Sequence, residues 1–292
     1  MQRSLAVRPP AWLRTVSAVM RRIGPFRGRV RITNRIQERL AGRGWSDLVV
    51  VNGYQMLVLL DDLIGRSTYV DGVWERANTA AAVRLLAPGG HVFDIGANAG
   101  YFALLFASRV GADGEVVAFE PVRETADRLR ANLTRNPAIA PRVRLMECAV
   151  SSVAGTVEMA VDRSGNTGAS HVLASGAGTT TGEGRTTVVC RTADEVWEEL
   201  GQPGIDLVKI DIEGHELFAL RGMSRVLNAS PKVSVLIEVR DRALRETGGS
   251  RDAVFALMQQ HGFNAFDFAE GNFVRNDEPR DGELIVFSKR SL

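Results

Sequence analysis

The chemistry this chain can do is concentrated in acidic residues at the ends of apolar runs. Asp94 closes Val92-Phe93-Asp94 and is followed by Ile95-Gly96-Ala97-Asn98-Ala99-Gly100. Glu120 closes the run Val116–Phe119 and precedes Pro121. Asp211, Glu213, His215 and Glu216 crowd the end of Leu207-Val208-Lys209-Ile210. Glu238 lies inside Val235-Leu236-Ile237-Glu238-Val239, where a carboxylate is costly unless paired. A carboxylate just ahead of a glycine turn repels a pyrophosphate and suits a cofactor with a cationic or amino end. The order Asp-x-Gly-x-x-x-Gly also departs from the three-glycine dinucleotide fingerprint. An acid at the second strand end can hold a ribose diol through paired hydrogen bonds. A histidine at a strand end titrates near neutrality and can take a proton from a reacting hydroxyl.

Those side chains need strands to deliver them to one edge of a sheet. Strands are expected at His91–Asp94, Val116–Glu120, Val143–Glu147, Leu207–Asp211 and Val233–Val239. Helices are expected near Tyr101–Val110, Arg123–Asn136 and Glu216–Leu227, where apolar residues recur at helical spacing. A helix carrying Ala80, Val83 and Leu86 precedes the first of these strands. This βαβ alternation predicts an α/β fold, a doubly wound and mostly parallel sheet with helices on both faces. Right-handed crossovers then gather the acidic strand ends on one side, where such sheets bind ligands. Leu48–Val51, Asn52-Gly53 and Gln55–Leu60 read as a β-hairpin with a type I′ turn ahead of the sheet. Helix 252–261 and strands 263–268 and 283–288 close it.

Two segments break the pattern. Residues 1–46 hold eleven arginines and one acid, Glu38, a charge of +10 against −8 for the remainder. Ala11–Met20 can form a short basic amphipathic helix with Trp12, Val16, Val19 and Met20 on one side. We expect a solvated, partly ordered extension, with weak contact to an anionic membrane surface as the alternative. Arg14 interrupts the apolar stretch and argues against a secretory signal. Between Val153 and Arg191, Gly, Ser and Thr dominate, and short strands near 156–161 and 186–190 flank a mobile loop. A lid over the substrate and a plain surface insertion are both consistent with such a loop. The expected organisation is a basic extension over 1–46 and one domain over 47–292. That domain holds the hairpin at 47–61, a cofactor-binding core at 79–240 and a flexible insertion at 162–185.

The 292 residues are 45% apolar and 24% charged, the balance of an ordinary globular protein. No apolar run approaches the roughly 20 residues of a membrane span. The acidic body argues against nucleic acid as a partner. The two cysteines, Cys148 and Cys190, do not make a disulfide framework and suggest a reducing, cytoplasmic setting.

With these residues in view, the chain resembles the FkbM family of S-adenosylmethionine-dependent methyltransferases. The resemblance is carried by Phe93-Asp94-Ile95-Gly96-Ala97-Asn98-Ala99-Gly100-Tyr101, by Phe119-Glu120-Pro121, and by Lys209-Ile210-Asp211-Ile212-Glu213-Gly214-His215-Glu216 with Leu220 and Gly222 behind it. Ile237-Glu238 adds to it, and Trp74-Glu75, Gly165–Ser170 and Thr192-Ala193-Asp194 echo it more weakly. It covers about Val73 to Val239. It implies a Rossmann-like seven-stranded sheet with an antiparallel last strand. It implies methyl transfer to a hydroxyl oxygen of a sugar, glycolipid or natural-product scaffold. Asp94, Gly96, Asn98 and Gly100 would line the methionine and ribose portion, with Ala97, Tyr101 and Pro121 alongside. Glu120 would take the ribose hydroxyls. Asp211 and Glu213 would face the methyl-transfer zone, and Glu75 and Glu238 the acceptor.

The sulfonium methyl is already activated, so the protein must hold an oxygen in line and remove its proton. His215 is the expected base, with Asp211 or Glu213 orienting or replacing it. Mg²⁺ on Asp211, Glu213 and Glu238 is the lesser alternative, since hard oxygen ligands would suit it. The competing classes are a non-catalytic nucleoside-binding protein and a nicotinamide-dependent oxidoreductase.

Overall fold

Strands that are apolar on both faces must be covered on both faces, and the chain supplies that cover from its first helix to its last. The computed structural model describes residues 7–23, 27–162, 167–173, 183–276, 278, 281–282 and 284–292. In chain order the elements are α1 (Ala11–Arg22), α2 (Arg29–Leu40), β1 (Ser46–Val51), β2 (Tyr54–Leu59), α3 (Leu63–Asp71), α4 (Arg76–Leu85), β3 (His91–Ile95), α5 (Tyr101–Arg109), β4 (Glu115–Phe119), α6 (Arg123–Thr134) and β5 (Val143–Met146). Then follow β6 (Ala149–Val150), β7 (Gly155–Asp162), β8 (His171–Val172), β9 (Glu183–Arg191), α7 (Ala193–Glu199), β10 (Leu207–Ile210), α8 (Glu216–Arg221) and α9 (Ser224–Ala229). The chain closes with β11 (Ser234–Glu238), α10 (Asp241–Glu246), α11 (Arg251–Gln260), β12 (Asn264–Ala269), β13 (Asn272–Arg275) and β14 (Leu284–Ser288).

The main sheet runs β13-β12-β14-β11-β10-β3-β4-β5. Its central strands are parallel, and β14 is antiparallel to both β11 and β12. Among the described residues the sheet therefore has eight strands where the resemblance implies seven. The extra one is β13, a short edge strand that folds back on β12 through Glu270 and Gly271, both at positive φ. Alternation along β3 splits the core. Val92 packs with Phe102, Leu105 and Phe106 on one face, and Phe93 and Ile95 pack with Leu217, Leu220 and Val254 on the other. β10 lies beside β3 and β11 beside β10, all parallel, so Asp94, Asp211 and Glu238 come to one edge.

The hairpin forms as its sequence predicts, with Asn52 and Gly53 both at positive φ as a type I′ turn requires. Its free edge is closed by side chains rather than by another strand. Asn136 exchanges two hydrogen bonds with the backbone of Gln55, and Asn132 accepts from the amide of Leu57. The long helix expected over 216–227 is instead α8 and α9, broken at Gly222. A Cβ on Gly222 would stand 2.0 Å from the carbonyl oxygen of Ser151, so only glycine lets the two segments pass.

The arginine-rich arm is not a solvated extension. It is a pair of helices on α3 and the hairpin, and Leu13, Met20, Ile36 and Leu40 are buried in the same core as Phe102 and Leu105. Burying such a side chain is worth about 1.5–3 kcal/mol, which outweighs the disorder expected of a terminus. Four of the eleven arginines that suggest solvation have partners. Arg8 and Arg14 face Asp47 at 3.5 and 3.6 Å, Arg29 faces Asp71 at 3.4 Å, and Arg21 bonds the carbonyl of Tyr69 while lying over its ring. α1 is also rotated from expectation. Leu13, Ser17 and Met20 face the core, and Trp12, Val16, Val19 and Ile23 face outward.

The glycine-rich interval forms a second, four-stranded sheet, β6-β9-β7-β8. Much of the expected flexible insertion at 162–185 lies outside the described residues. No helix among the described residues is long and apolar enough to cross a membrane.

Candidate active site

The turn after β3 is held from below. The amides of Gly96 and Ala97 both donate to the carbonyl of Phe119 at 3.1 and 3.0 Å, and the amide of Asp211 donates to that of Ile95 at 3.0 Å. At Gly96 the chain takes φ +85°, and a Cβ there would meet the Asp211 carbonyl at 2.0 Å. Glycine is required for both reasons, conformation and contact. The result is a close seam between the ends of β3 and β10.

Glu120 is fixed at the end of β4. One carboxylate oxygen accepts the amide of Asn98 at 3.0 Å and the other the amide of Val122 at 2.9 Å. The side chain is buried, and burial pushes it up to about 7 despite these two amides. Each oxygen keeps a further lone pair for a donor, the pattern a vicinal diol satisfies.

A cavity of about 580 Å³, its open mouth included, lies above these groups. Gly96, Asn98, Glu120, Pro121, Asp211 and His215 all line it. Thr125, Cys148, Val150, Met159, Ser170 and Val172 line it too, and of these the sequence marked only Ser170, at the end of a weak family echo, and Cys148, as one of two cysteines. Met159 and Val172 come from the second sheet, which thereby forms one wall. The sequence signal for that wall is the break in βαβ alternation after Val153. Cys148 is a neutral wall group, because burial pushes its thiol up to about 11.

Four of the residues expected beside the cofactor are not on this wall. Ala97 packs with Ala103, Ala118 and Leu129, and Gly100 starts α5 against Leu129. Tyr101 is buried on the hairpin side, its hydroxyl 3.2 Å from Thr79 Oγ1. Asp94 lies fully buried beneath the turn, and neither of its carboxyl oxygens has a hydrogen-bond partner. Burial pushes Asp94 up to about 6, although Lys209 works in the other direction.

His215 reaches the cavity but is firmly packed. Its Nε2 is 3.0 Å from Ser151 Oγ, its ring stacks on Phe218 at 4.7 Å, and burial lowers it to about 4. A base so depressed holds a proton weakly. The carboxylates form a second group on the other side of Asp211. Lys209 Nζ lies 3.1 Å from Asp211 Oδ2 and over the ring of Phe102. Burial alone would lower Lys209, but Asp211, Asp94 and Glu75 outweigh it and raise it. Arg240 bonds both Glu213, at 2.7 Å, and Glu238, at 2.9 Å. Burial raises both of these carboxyls.

These pairings bear on a metal. Asp211, Glu213 and Glu238 are each engaged by Lys209 or Arg240, and among the described residues no group of three or more acids, histidines and cysteines is placed to hold a metal ion. Glu75 completes the acidic group. It precedes α4 at φ 42°, a conformation that costs energy for a non-glycine residue. It accepts from Asn78 Nδ2 at 2.8 Å, and burial pushes it up to about 7 within reach of Lys209, Asp211 and Glu238.

A sequence profile of the methyltransferase FkbM domain matches residues 94–265, more than half of the chain. The chain belongs to the FkbM methyltransferase family. Family relatives differ widely in context. The chain is 28% identical over 264 residues to the AMB antimetabolite synthetase AmbE of Pseudomonas aeruginosa, covering 77% of this chain and 12% of that protein. It is 31% identical over 138 residues to the hexuronic acid methyltransferase AglP of Haloferax volcanii, covering 47% and 52%. It is 33% identical over 204 residues to the 31-O-demethyl-FK506 methyltransferase FkbM of Streptomyces tacrolimicus, covering 61% and 74%. The chain thus spans 12% and 52% of the first two relatives. Among solved structures, the methyltransferase FkbM from Methylobacillus flagellatus is 16% identical with a TM-score of 0.45, covering 69% of this chain and 44% of that one.

Proposed function

We propose that this FkbM-family chain transfers the methyl group of S-adenosylmethionine to a hydroxyl oxygen of a sugar, glycolipid or natural-product acceptor. The observation that carries the reading is Glu120, a buried carboxylate anchored by two backbone amides on the wall of a cavity. It suits the ribose diol. The orphaned carboxyl of Asp94, beneath the glycine turn and off the cavity wall, adds negative potential below the cationic end of the same cofactor. When bound, that cofactor supplies a methyl already activated by its sulfonium.

The chain's own residues then have three tasks. The wall from the second sheet excludes water. Asp211, common to the cavity and to the acidic group, marks the side from which an acceptor approaches. A proton acceptor must stand there. The geometry supports Glu75 over His215 for that task. Glu75 lies in the acidic group and titrates near neutrality, whereas His215 is stacked, bonded to Ser151 and depressed. The names of two relatives, a hexuronic acid methyltransferase and a 31-O-demethyl-FK506 methyltransferase, support a sugar acid or a natural-product hydroxyl as the acceptor class.

Thermal unfolding tests the reading. S-adenosylhomocysteine at 100 times its Kd should stabilise the fold by about 2.7 kcal/mol, and NAD⁺ should leave it unchanged. Stabilisation by NAD⁺ alone would overturn the reading in favour of an oxidoreductase.

A further inference from the structure

The two arm helices do more than cover a core. Between α1, α2 and the segment joining α3 to α4 lies a second cavity, about 1450 Å³ with its open mouth included. Its lining mixes apolar surface from Ile23, Val30, Val73 and Trp74 with a basic excess. Arg21, Arg22, Arg29 and Arg76 stand against Asp71 and Glu75. Arg21 and Arg29 are occupied by Tyr69 and Asp71. Arg22 and Arg76 are exposed, and among the described residues neither has an ion-pair partner. Asn34, Gln37 and Ser67 add uncharged hydrogen-bonding groups, and Trp74 adds a flat apolar surface. That mixture of amide, hydroxyl and indole suits a carbohydrate, and unpaired guanidiniums suit a carboxylate or phosphate on it.

The position is as informative as the chemistry. Glu75 lines this cavity, and Asp211 lines the cofactor cavity. Lys209 lies between them, bonded to Asp211 and close enough to Glu75 to act on it. The two cavities therefore lie on either side of one group of charges. Backbone strain at Glu75, φ 42°, falls at that junction.

We propose that the cavity under the N-terminal helices is the acceptor site, and that it takes a sugar-type acceptor carrying an anionic group, a carboxylate or a phosphate. The proposal rests on the methyl-transfer reading above. It gives the arm a role its charge alone does not suggest: Arg22 serves the substrate rather than the fold.

The test uses the full chain saturated with S-adenosylhomocysteine and ligand-observed NMR titrations of three probes, glucuronate, glucose 6-phosphate and glucose. At least one anionic probe should bind tenfold or more tightly than glucose, and the tighter of the two identifies the anion. The double variant Arg22→Glu/Arg76→Glu should lose that preference and keep its affinity for S-adenosylhomocysteine. A control, Arg35→Glu/Arg39→Glu, removes as much charge from exposed positions of α2 that do not line the cavity, and should keep the preference. Equal binding of glucose, no binding of any probe, survival of the preference in the first variant or its loss in the control would each overturn the proposal. Failure of the wild-type chain to bind S-adenosylhomocysteine would strike the methyl-transfer reading itself, and the acceptor assignment with it, whatever the probes do; loss of the anionic preference with that binding intact strikes the acceptor assignment alone.

Discussion

The backbone amide of Asn98 donates to Glu120 at 3.0 Å, and this bond joins the turn after β3 to the end of β4. Its energetic consequence is unusual. The carboxylate that best suits a ribose is also a structural tie, so ligand-free protein holds a buried acid whose charge the fold only partly compensates. Asp94, Glu75 and Glu216 share that condition, each raised by burial.

Stability should therefore fall as pH rises. Glu120, Glu75 and Glu216 move from 4.5 to about 7 and Asp94 from 3.8 to about 6. A carboxyl raised in the folded state binds more protons there than when unfolded. Its contribution is full below the unfolded pKa and is lost as pH climbs through the folded one. Each tenfold difference in proton affinity between the two states is worth about 1.4 kcal/mol for a buried group. His215, lowered from 6.5 to about 4, acts in the opposite sense and loses its contribution as pH falls through that window. Four carboxyls against one imidazole give a higher urea midpoint at pH 5.5 than at pH 7.5. Glu216→Gln should flatten the difference. A midpoint that rises from pH 5.5 to 7.5 would contradict the burial of these groups.

The base assignment separates Glu75 from His215. With an acceptor that the wild type methylates, Glu75→Gln should lower kcat by about 10²–10⁴-fold and leave the Kd for S-adenosylhomocysteine nearly unchanged. His215→Ala should have the smaller effect on kcat and the larger one on cofactor affinity, because its ring lines that cavity. The reverse ranking would return the base to His215.

Removing the arm should damage the fold. A chain starting near Ser46 would uncover Tyr69 and Val70, which α1 and α2 now help to bury. We expect a lower Tm or insoluble protein. A truncated chain with wild-type Tm would show that the helix pair docks without stabilising the core.

The parallel sheet is legible in the sequence because buried strands and amphipathic helices alternate from Val92 to Glu147 and again from Leu207 to Val239. The acidic strand ends are legible for the same reason: once the strands are parallel, Asp94, Glu120 and Asp211 must share an edge. The packing of the arm is not legible, because its arginines dominate its local pattern and the partners that bury Leu13 and Leu40 lie far along the chain. Adjacency to Gly100 suggests a place beside the cofactor for Tyr101, but the first turn of α5 points it at Thr79. Glu75 stands out only as part of a weak motif. Its closeness to Lys209 depends on α4 docking against the sheet, which local sequence does not encode.

Calorimetric titration of S-adenosylhomocysteine into the full chain and into Glu120→Ala tests the central claim most directly. The account predicts one site in the wild type and a loss of about 1–3 kcal/mol on substitution, from two anchored acceptors no longer facing the diol. An identical Kd in the variant, or no binding heat in the wild type beside micromolar binding of NAD⁺, would contradict it.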